Sequence, residues 1–320
     1  MEHNLNHKTT DFEIKKDLLE DVVVPSKNEV QRFHGSWFRG NNTNFIPSKK
    51  MLFEAGSFEK YILHGYKPDE PFINKTTVIT AFGSCFAQNI SKYLHTEGYN
   101  VLGKKLNLMS HIVRFGEGIV NTFAILEQLQ WALEGKSLSS GLWFGSKKEI
   151  VTPDEISREN TRYLLNRTEV LILTVGLSEI WFDKDSGRAF WRAIPAKDYD
   201  ESRHGFRLTS VEENFKNLQN IMLLRDQYLP NMKVIITLSP IPLMATFREV
   251  NCISANSTSK AILRVAIDLM MSEKHKQLYY FPSYELFKEV YVNPFQADNR
   301  HPREELVLNT MKLFERVYCN

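Results

Sequence analysis

The sequence predicts an α/β fold: a mostly parallel five-stranded sheet with helices on both faces, preceded by an irregular N-terminal arm. Three observations carry that prediction. From Val78 onward, apolar runs of strand length alternate with stretches of helical period. The two best runs, EVLILTV at Glu169–Val175 and KVIITL at Lys233–Leu238, are near-continuously apolar, as strands covered on both faces are. Before Val78 neither period is sustained.

Taken in order, residues 1–30 are polar and charged, and are expected to be poorly ordered. Residues 31–77 are rich in aromatics and interrupted by Pro47, Pro68 and Pro71, which predicts an arm packed on the main domain at 78–320. Val78–Phe82 is the first strand, Gly83 a turn, and Phe86, Ile90, Tyr93 and Leu94 mark one face of a helix that Gly98 stops. Tyr99–Leu102 is a weak second strand and His111–Gly118 a loop. A helix from about Val120 to Glu134, with Phe123, Leu126, Leu129 and Leu133 inward, ends at Gly135. Glu169–Val175 is the third strand, and Trp181–Thr209 an excursion without a clear period. Ser210 and Glu213 form a capping box for the next helix, which Pro230 stops. Lys233–Leu238 leads into the rigid exit Ser239–Pro242. A helix at Ser259–Met271 is expected to turn Ile262, Val265, Ala266 and Leu269 inward. Leu278–Phe281 is the last strand, Asn293–Pro302 a loop, and Arg303–Tyr318 a final amphipathic helix.

Composition narrows the class. The 320 residues carry a formal net charge of +2, with no basic stripe interleaved with aromatics, so nothing calls for nucleic acid. Cys85, Cys252 and Cys319 are far apart, which fits neither a disulfide framework nor a paired-cysteine metal site and points to a reducing, cytoplasmic setting. No stretch approaches the roughly 20 apolar residues of a membrane span, and the N-terminus has no apolar signal core.

In a parallel sheet of this kind, ligands bind outside the carboxyl ends of the strands. Four loops then share one rim: 83–85, 116–118, 176–179 and 239–242, with 298–301 in reach. Ser84 and Cys85 are equally eligible there as nucleophile, because a helix N-terminus favours negative charge; the plain alternatives are an N-cap serine and a buried thiol. Asp298 lies three residues before His301, a spacing that lets the carboxylate fix the imidazole tautomer, or that merely opens the last helix. Ser178 and Asn121 are candidate oxyanion donors, or a tight strand exit and an N-cap. Arg188, Arg192, Arg203 and Arg207 either bind an anionic substrate or solvate a loop. His204 is read as an ordinary loop histidine, with Asp200 or Glu201 the only carboxylates placed to orient it.

The order of these residues carries a resemblance. FGSCFA at Phe82–Ala87 is similar to the signature of the GSCFA-domain family, which belongs with the SGNH/GDSL hydrolases and acyltransferases. VGLSEIW from Val175, FWRAIP from Phe190, SPIPL from Ser239 and ADNRHP from Ala297 extend the likeness over about residues 78–319. The resemblance implies a flavodoxin-like three-layer fold and acyl-ester chemistry. In the superfamily's Gly-Asp-Ser block, Gly83 matches Gly, Ser84 falls on Asp and Cys85 on the nucleophile; Asp298 and His301 fall on the base pair. The Gly-x-Asn-Asp block falls on Gly176–Glu179, so Ser178 replaces the oxyanion asparagine. The implied triad is Cys85–His301–Asp298, with Ser84 as cap or alternative nucleophile. Oxyanion donors come from the Cys85 N–H, a Gly116 or Gly118 amide, the Gly176 turn, and Ser178 or Asn121. Gly-Asn-Cys capsule-polysaccharide acetyltransferases are a related pattern, which favours carbohydrate or small-ester substrates and polysaccharide modification. No bound metal or cofactor is implied; a transferase would use a donor such as acetyl-CoA, its phosphates meeting Arg188, Arg192 or Arg207. The alternative is a non-catalytic carbohydrate-binding protein that kept the fold. The sequence sets no oligomeric state.

Overall fold

The computed structural model describes residues 21–25, 30–34, 44–106, 108–115, 118–136, 143–145, 150–191 and 193–320. The chain divides into two units, Met1–Phe53 and Glu54–Asn320. In the first, Asp21–Pro25 pairs antiparallel with Val30–His34, a hairpin on either side of the composition change near residue 30. Gly116 and Arg192 lie outside the described residues.

The second unit holds the sheet. Strand β1 is Ile79–Gly83, followed by helix α1 at Cys85–Thr96 and helix α2 at Thr122–Glu134. Helix α3, Glu155–Arg167, precedes β2 at Val170–Val175. Strands β3, Glu179–Asp183, and β4, His204–Leu208, form an antiparallel ribbon. Then come α4 at Val211–Tyr228, β5 at Lys233–Leu238, α5 at Cys252–Ser272, β6 at Leu278–Tyr280 and α6 at Glu304–Tyr318.

The sheet has four strands, all parallel, in the order β1-β2-β5-β6. Tyr99–Leu102, expected as a fifth, makes only a single parallel bridge from Val101 to Ile79, because the chain turns into helix at Leu102. Counting that bridge, the spatial order is the flavodoxin-like 2-1-3-4-5. Alternate side chains of the central strands face opposite layers. Leu171, Leu173, Val234 and Ile236 pack with α2, α4 and α5; Val170, Ile172 and Ile235 pack with α1 and α6.

Sequence signals account for most helix ends. Asn121 Oδ1 accepts from the Ala124 N–H at 2.8 Å, capping α2, and Gly135 closes it at φ 70°. The Ser210/Glu213 capping box opens α4. Residues 111–118, expected as a loop, hold a short helix at His111–Phe115, and two further readings change. Helix α3 falls in a stretch with no predicted element; Asp154 caps it, accepting from the Ser157 N–H at 2.8 Å. Helix α5 starts at Cys252 and turns Ala255, Ser259, Lys260, Leu263, Ala266, Ile267 and Met270 inward, leaving Val265 and Leu269 exposed. A lysine on the buried stripe disguises its register.

Residues 54–77 pack against the C-terminal end of α6 and the residues that follow it. Leu63 and Ile73 are buried. The Phe72 and Ile73 N–H groups donate to Tyr318 O at 3.0 and 2.8 Å, and the Asn320 N–H donates to Ile73 O at 2.9 Å. Helix α6 is tied to α1 by Tyr93 and to the segment after α1 by Tyr99; their hydroxyls donate to Glu315 at 2.5 and 2.9 Å.

Candidate active site

The strand-to-helix turn is held by backbone sterics. Gly83 has φ +131°, and a Cβ there would lie 2.1 Å from Thr174 O on β2. The Ser84 N–H donates to the same carbonyl at 3.1 Å. Ser84 is the N-cap of α1: its Oγ accepts from the Phe86 N–H at 3.1 Å, and the residue is buried. Cys85 is therefore the first helical residue, half-buried and in no disulfide, where helix N–H groups favour an anion.

Three of the expected rim loops, 83–85, 176–179 and 239–242, meet at Gly176. A Cβ on Gly176 would lie 3.4 Å from Ser239 Cβ, 3.8 Å from Val120 Cβ and 3.9 Å from Ser84 Cβ. Gly118 and Asn121 line a cleft of about 570 Å³ beside this point. Asn121 Oδ1 is pinned by its capping bond, which leaves the amide Nδ2 as a donor at the cleft. Ser178 is fully buried; its N–H and its hydroxyl both bond Ser259 Oγ at 3.0 Å.

The loop before α6 carries the dyad. Asp298 Oδ1 accepts from the Arg300 and His301 N–H groups at 3.1 and 3.0 Å, and Oδ2 accepts from His301 Nδ1. These bonds, the imidazole's first, hold the Asp298 carboxyl down to about 2. With Nδ1–H committed to the carboxylate, Nε2 carries the lone pair, and Arg300 Nη1 approaches it at 3.3 Å. Arg300 lines the main cleft and also a second cleft of about 350 Å³, which Asp298 shares.

The excursion's three described arginines are each paired with a carboxylate. Arg188 pairs with Glu127 at 3.0 Å, Arg203 with Asp183 at 2.5 Å, and Arg207 makes a two-point contact with Glu213 at 2.9 and 2.7 Å. Burial still pushes the Glu127 carboxyl up, against the pull of Arg188. His204 is buried, and its Nδ1 accepts the Asp200 backbone N–H at 3.0 Å, so Asp200 holds this nitrogen through its main chain rather than its carboxylate.

Two residues that sequence reasoning passed over stand at the rim. Lys260 is fully buried on α5, and its Nζ donates to Gly176 O at 3.0 Å and Ser239 O at 2.9 Å. Its signal was a lone cation inside a stripe at helical spacing. Arg300 lay between the two dyad residues, and its position there was the only hint. Among the described residues, no three His, Cys, Asp or Glu side chains gather as a metal site, and no helix is long and apolar enough to cross a membrane.

The GSCFA family model matches residues 78–314 of this chain. No curated protein matches the sequence. Similar solved structures include a GDSL-like lipase from Bacteroides thetaiotaomicron, 12% identical, covering 76% of this chain and 86% of that one at TM-score 0.36. A carbohydrate esterase family 2 enzyme with a carbohydrate-binding domain from Corynascus thermopiles (Myceliophthora fergusii) is 11% identical over 78% and 67% of the two chains, at TM-score 0.33. A family two carbohydrate esterase from Clostridium thermocellum, in complex with cellohexaose, is 10% identical over 78% and 64%, at TM-score 0.30.

Proposed function

The chain belongs to the GSCFA family, and from that premise we propose that it is an acyl-transfer enzyme, an ester hydrolase or O-acyltransferase acting on a carbohydrate or related small ester. The observation that carries this reading is the Asp298–His301 pair: a carboxylate takes Nδ1–H and puts the lone pair on Nε2, which acts as the base once Arg300 Nη1, 3.3 Å away, swings aside. In the proposed reaction His301 Nε2 takes the Cys85 proton and the thiolate adds to the ester carbonyl. The tetrahedral oxyanion collapses, the C–O bond breaks, and the alcohol leaves with the proton from His301. Water or a sugar hydroxyl then adds to the thioester, giving its proton to His301, and the C–S bond breaks to restore the thiol.

Donors for the oxyanion are the Cys85 N–H, the Gly118 amide and Asn121 Nδ2, each such bond being worth about 10²-fold or more in rate. Ser178 is spent on Ser259, so its part in the hole passes to Asn121. Ser84 acts as the cap. Carbohydrate is favoured by the cleft wall of Trp181, Phe206 and Phe247, whose ring centroids stand 4.9 to 5.2 Å apart. Aromatic faces pack against the apolar faces of sugar rings. Transfer is favoured by the second cleft, which meets the first at Arg300 and Pro242–Met244 and leaves room for two substrates. An anionic donor such as acetyl-CoA would meet Arg300, since Glu127 and Glu213 take the charges of Arg188 and Arg207.

The test is mass-spectrometric trapping of an acetyl adduct after brief exposure to p-nitrophenyl acetate or acetyl-CoA. The adduct is expected on Cys85, to persist in Ser84→Ala and to vanish in Cys85→Ala. An adduct that survives Cys85→Ala but is lost in Ser84→Ala overturns the thiol assignment. The commitment of Ser178 to Ser259 favours a second reading, a non-catalytic carbohydrate-binding protein; wild-type protein that never acylates but binds oligosaccharide would establish it.

A further inference from the structure

Lys260 is buried in a way the proposed chemistry does not use. Other strongly buried charges among the described residues face opposite charge: Asp183 meets Arg203, Arg225 meets Asp226, and Glu179 meets Arg248. Lys260 Nζ instead meets two carbonyl oxygens, Gly176 O and Ser239 O, at the carboxyl ends of β2 and β5. An ammonium has three N–H donors, so one is unspent among the described residues. A buried cation without an anion is strongly disfavoured.

The anion available is a thiolate. Gly176, which accepts from Lys260, packs beside Ser84, the residue before Cys85. Two neighbours act on Lys260: Cys85 on α1, which as a thiolate favours the ammonium, and Arg300 of the dyad loop, which opposes it. Burial, the largest influence, holds the amine down to about 7. Coulombic coupling is mutual, so whatever a Cys85 thiolate does for the ammonium, the ammonium does for the thiolate.

We propose that Lys260 is the counter-ion of the Cys85 thiolate, a positioning residue that sets the nucleophile's ionisation from beneath the rim without touching substrate. The proton that leaves Cys85 still goes to His301; Lys260 lowers the cost of that transfer. If Lys260 served only to tie β2 to β5, a neutral amide donor would serve as well. The charge is what an amide cannot replace.

This inference rests on Cys85 as the reactive thiol, and the test separates the two. Iodoacetamide alkylation of Cys85 and Cys252 is followed by peptide mass spectrometry from pH 5 to 9, in wild type and in Lys260→Gln, which keeps a donor and removes the charge. Alkylation of Cys85 at pH 6 is expected to fall by about 10-fold or more in Lys260→Gln, a rise of about one unit in its midpoint, with Cys252 unchanged. An unchanged Cys85 profile overturns the proposal. Where circular dichroism shows Lys260→Gln unfolded, lysine ¹³Cε resonances titrated in wild type and Cys85→Ala give the reciprocal reading. The lysine that titrates near neutral pH is expected to move to lower pH when Cys85 is gone; no movement overturns the proposal. The same wild-type sample is exposed to p-nitrophenyl acetate. Charge coupling without acylation sinks the enzymatic reading alone, and acylation without charge coupling sinks this inference alone.

Discussion

His301→Ala is expected to slow acylation of Cys85 by p-nitrophenyl acetate by ~10³-fold, within the 10²–10⁴ that a positioned general base contributes. The substitution removes the lone pair that takes the thiol proton and the acid that returns it to the leaving alcohol. The fold should tolerate it, because the imidazole is 56% exposed and its ring bonds Asp298 and Arg300 of the same loop. Asp298→Asn should cost less, ~10²-fold. The amide still accepts the two backbone N–H bonds of the loop, but it no longer holds the ring in the tautomer with Nε2 bare. Stopped-flow burst rates, with circular dichroism to verify folding, check both. A His301→Ala burst within threefold of wild type removes the dyad from the reaction.

Gly83→Ala is expected to lower unfolding free energy by roughly 3 kcal/mol or more. Backbone in the left-handed region costs a non-glycine residue about 1–3 kcal/mol, and overpacking adds about 1–3 kcal/mol. Both apply at Gly83, with φ +131° and a Cβ site 2.1 Å from a backbone oxygen. That oxygen, Thr174 O, cannot retreat without pulling β2 away from β1 and loosening the Ser84 N–H bond. Against a typical net stability of roughly 5–15 kcal/mol, the variant should be marginal. Urea unfolding of wild type and variant gives the difference; a loss below about 1 kcal/mol shows that the turn relaxes freely.

What the sequence made legible follows how each feature is buried. Val170–Val175 and Lys233–Leu238 are covered on both faces, so their apolar runs were unmistakable. Asn121, Ser210 and Gly135 announced helix ends because capping is local chemistry. The Glu179–Asp183/His204–Leu208 ribbon was not legible: its strands are joined by a long loop, and neither alternates cleanly. Val101 forms one bridge to Ile79, and no local pattern tells one bridge from a strand. At the site, the Asp298–His301 contact was readable from a spacing of three residues. The fate of Ser178 was not, because Ser259 lies 81 residues further on. Lys260 escaped notice because a cation in a helix ordinarily signals the solvent side.

The contact of residues 72 and 73 with residues 318–320 has a consequence during biosynthesis. Helix α1, which presents Cys85, leans on Glu315 through Tyr93, so its outer layer is incomplete until residue 315 has left the ribosome. At roughly 5–20 residues per second, the nascent chain carries Cys85 on a partly uncovered helix for on the order of ten seconds or more. Over that interval the thiol lacks its finished surroundings, and residues 72 and 73 lack their backbone partners at 318–320. A nascent-chain thiol-alkylation experiment would see the reactivity of Cys85 change late, as residues 304–320 emerge, rather than when β1 and β2 first pair.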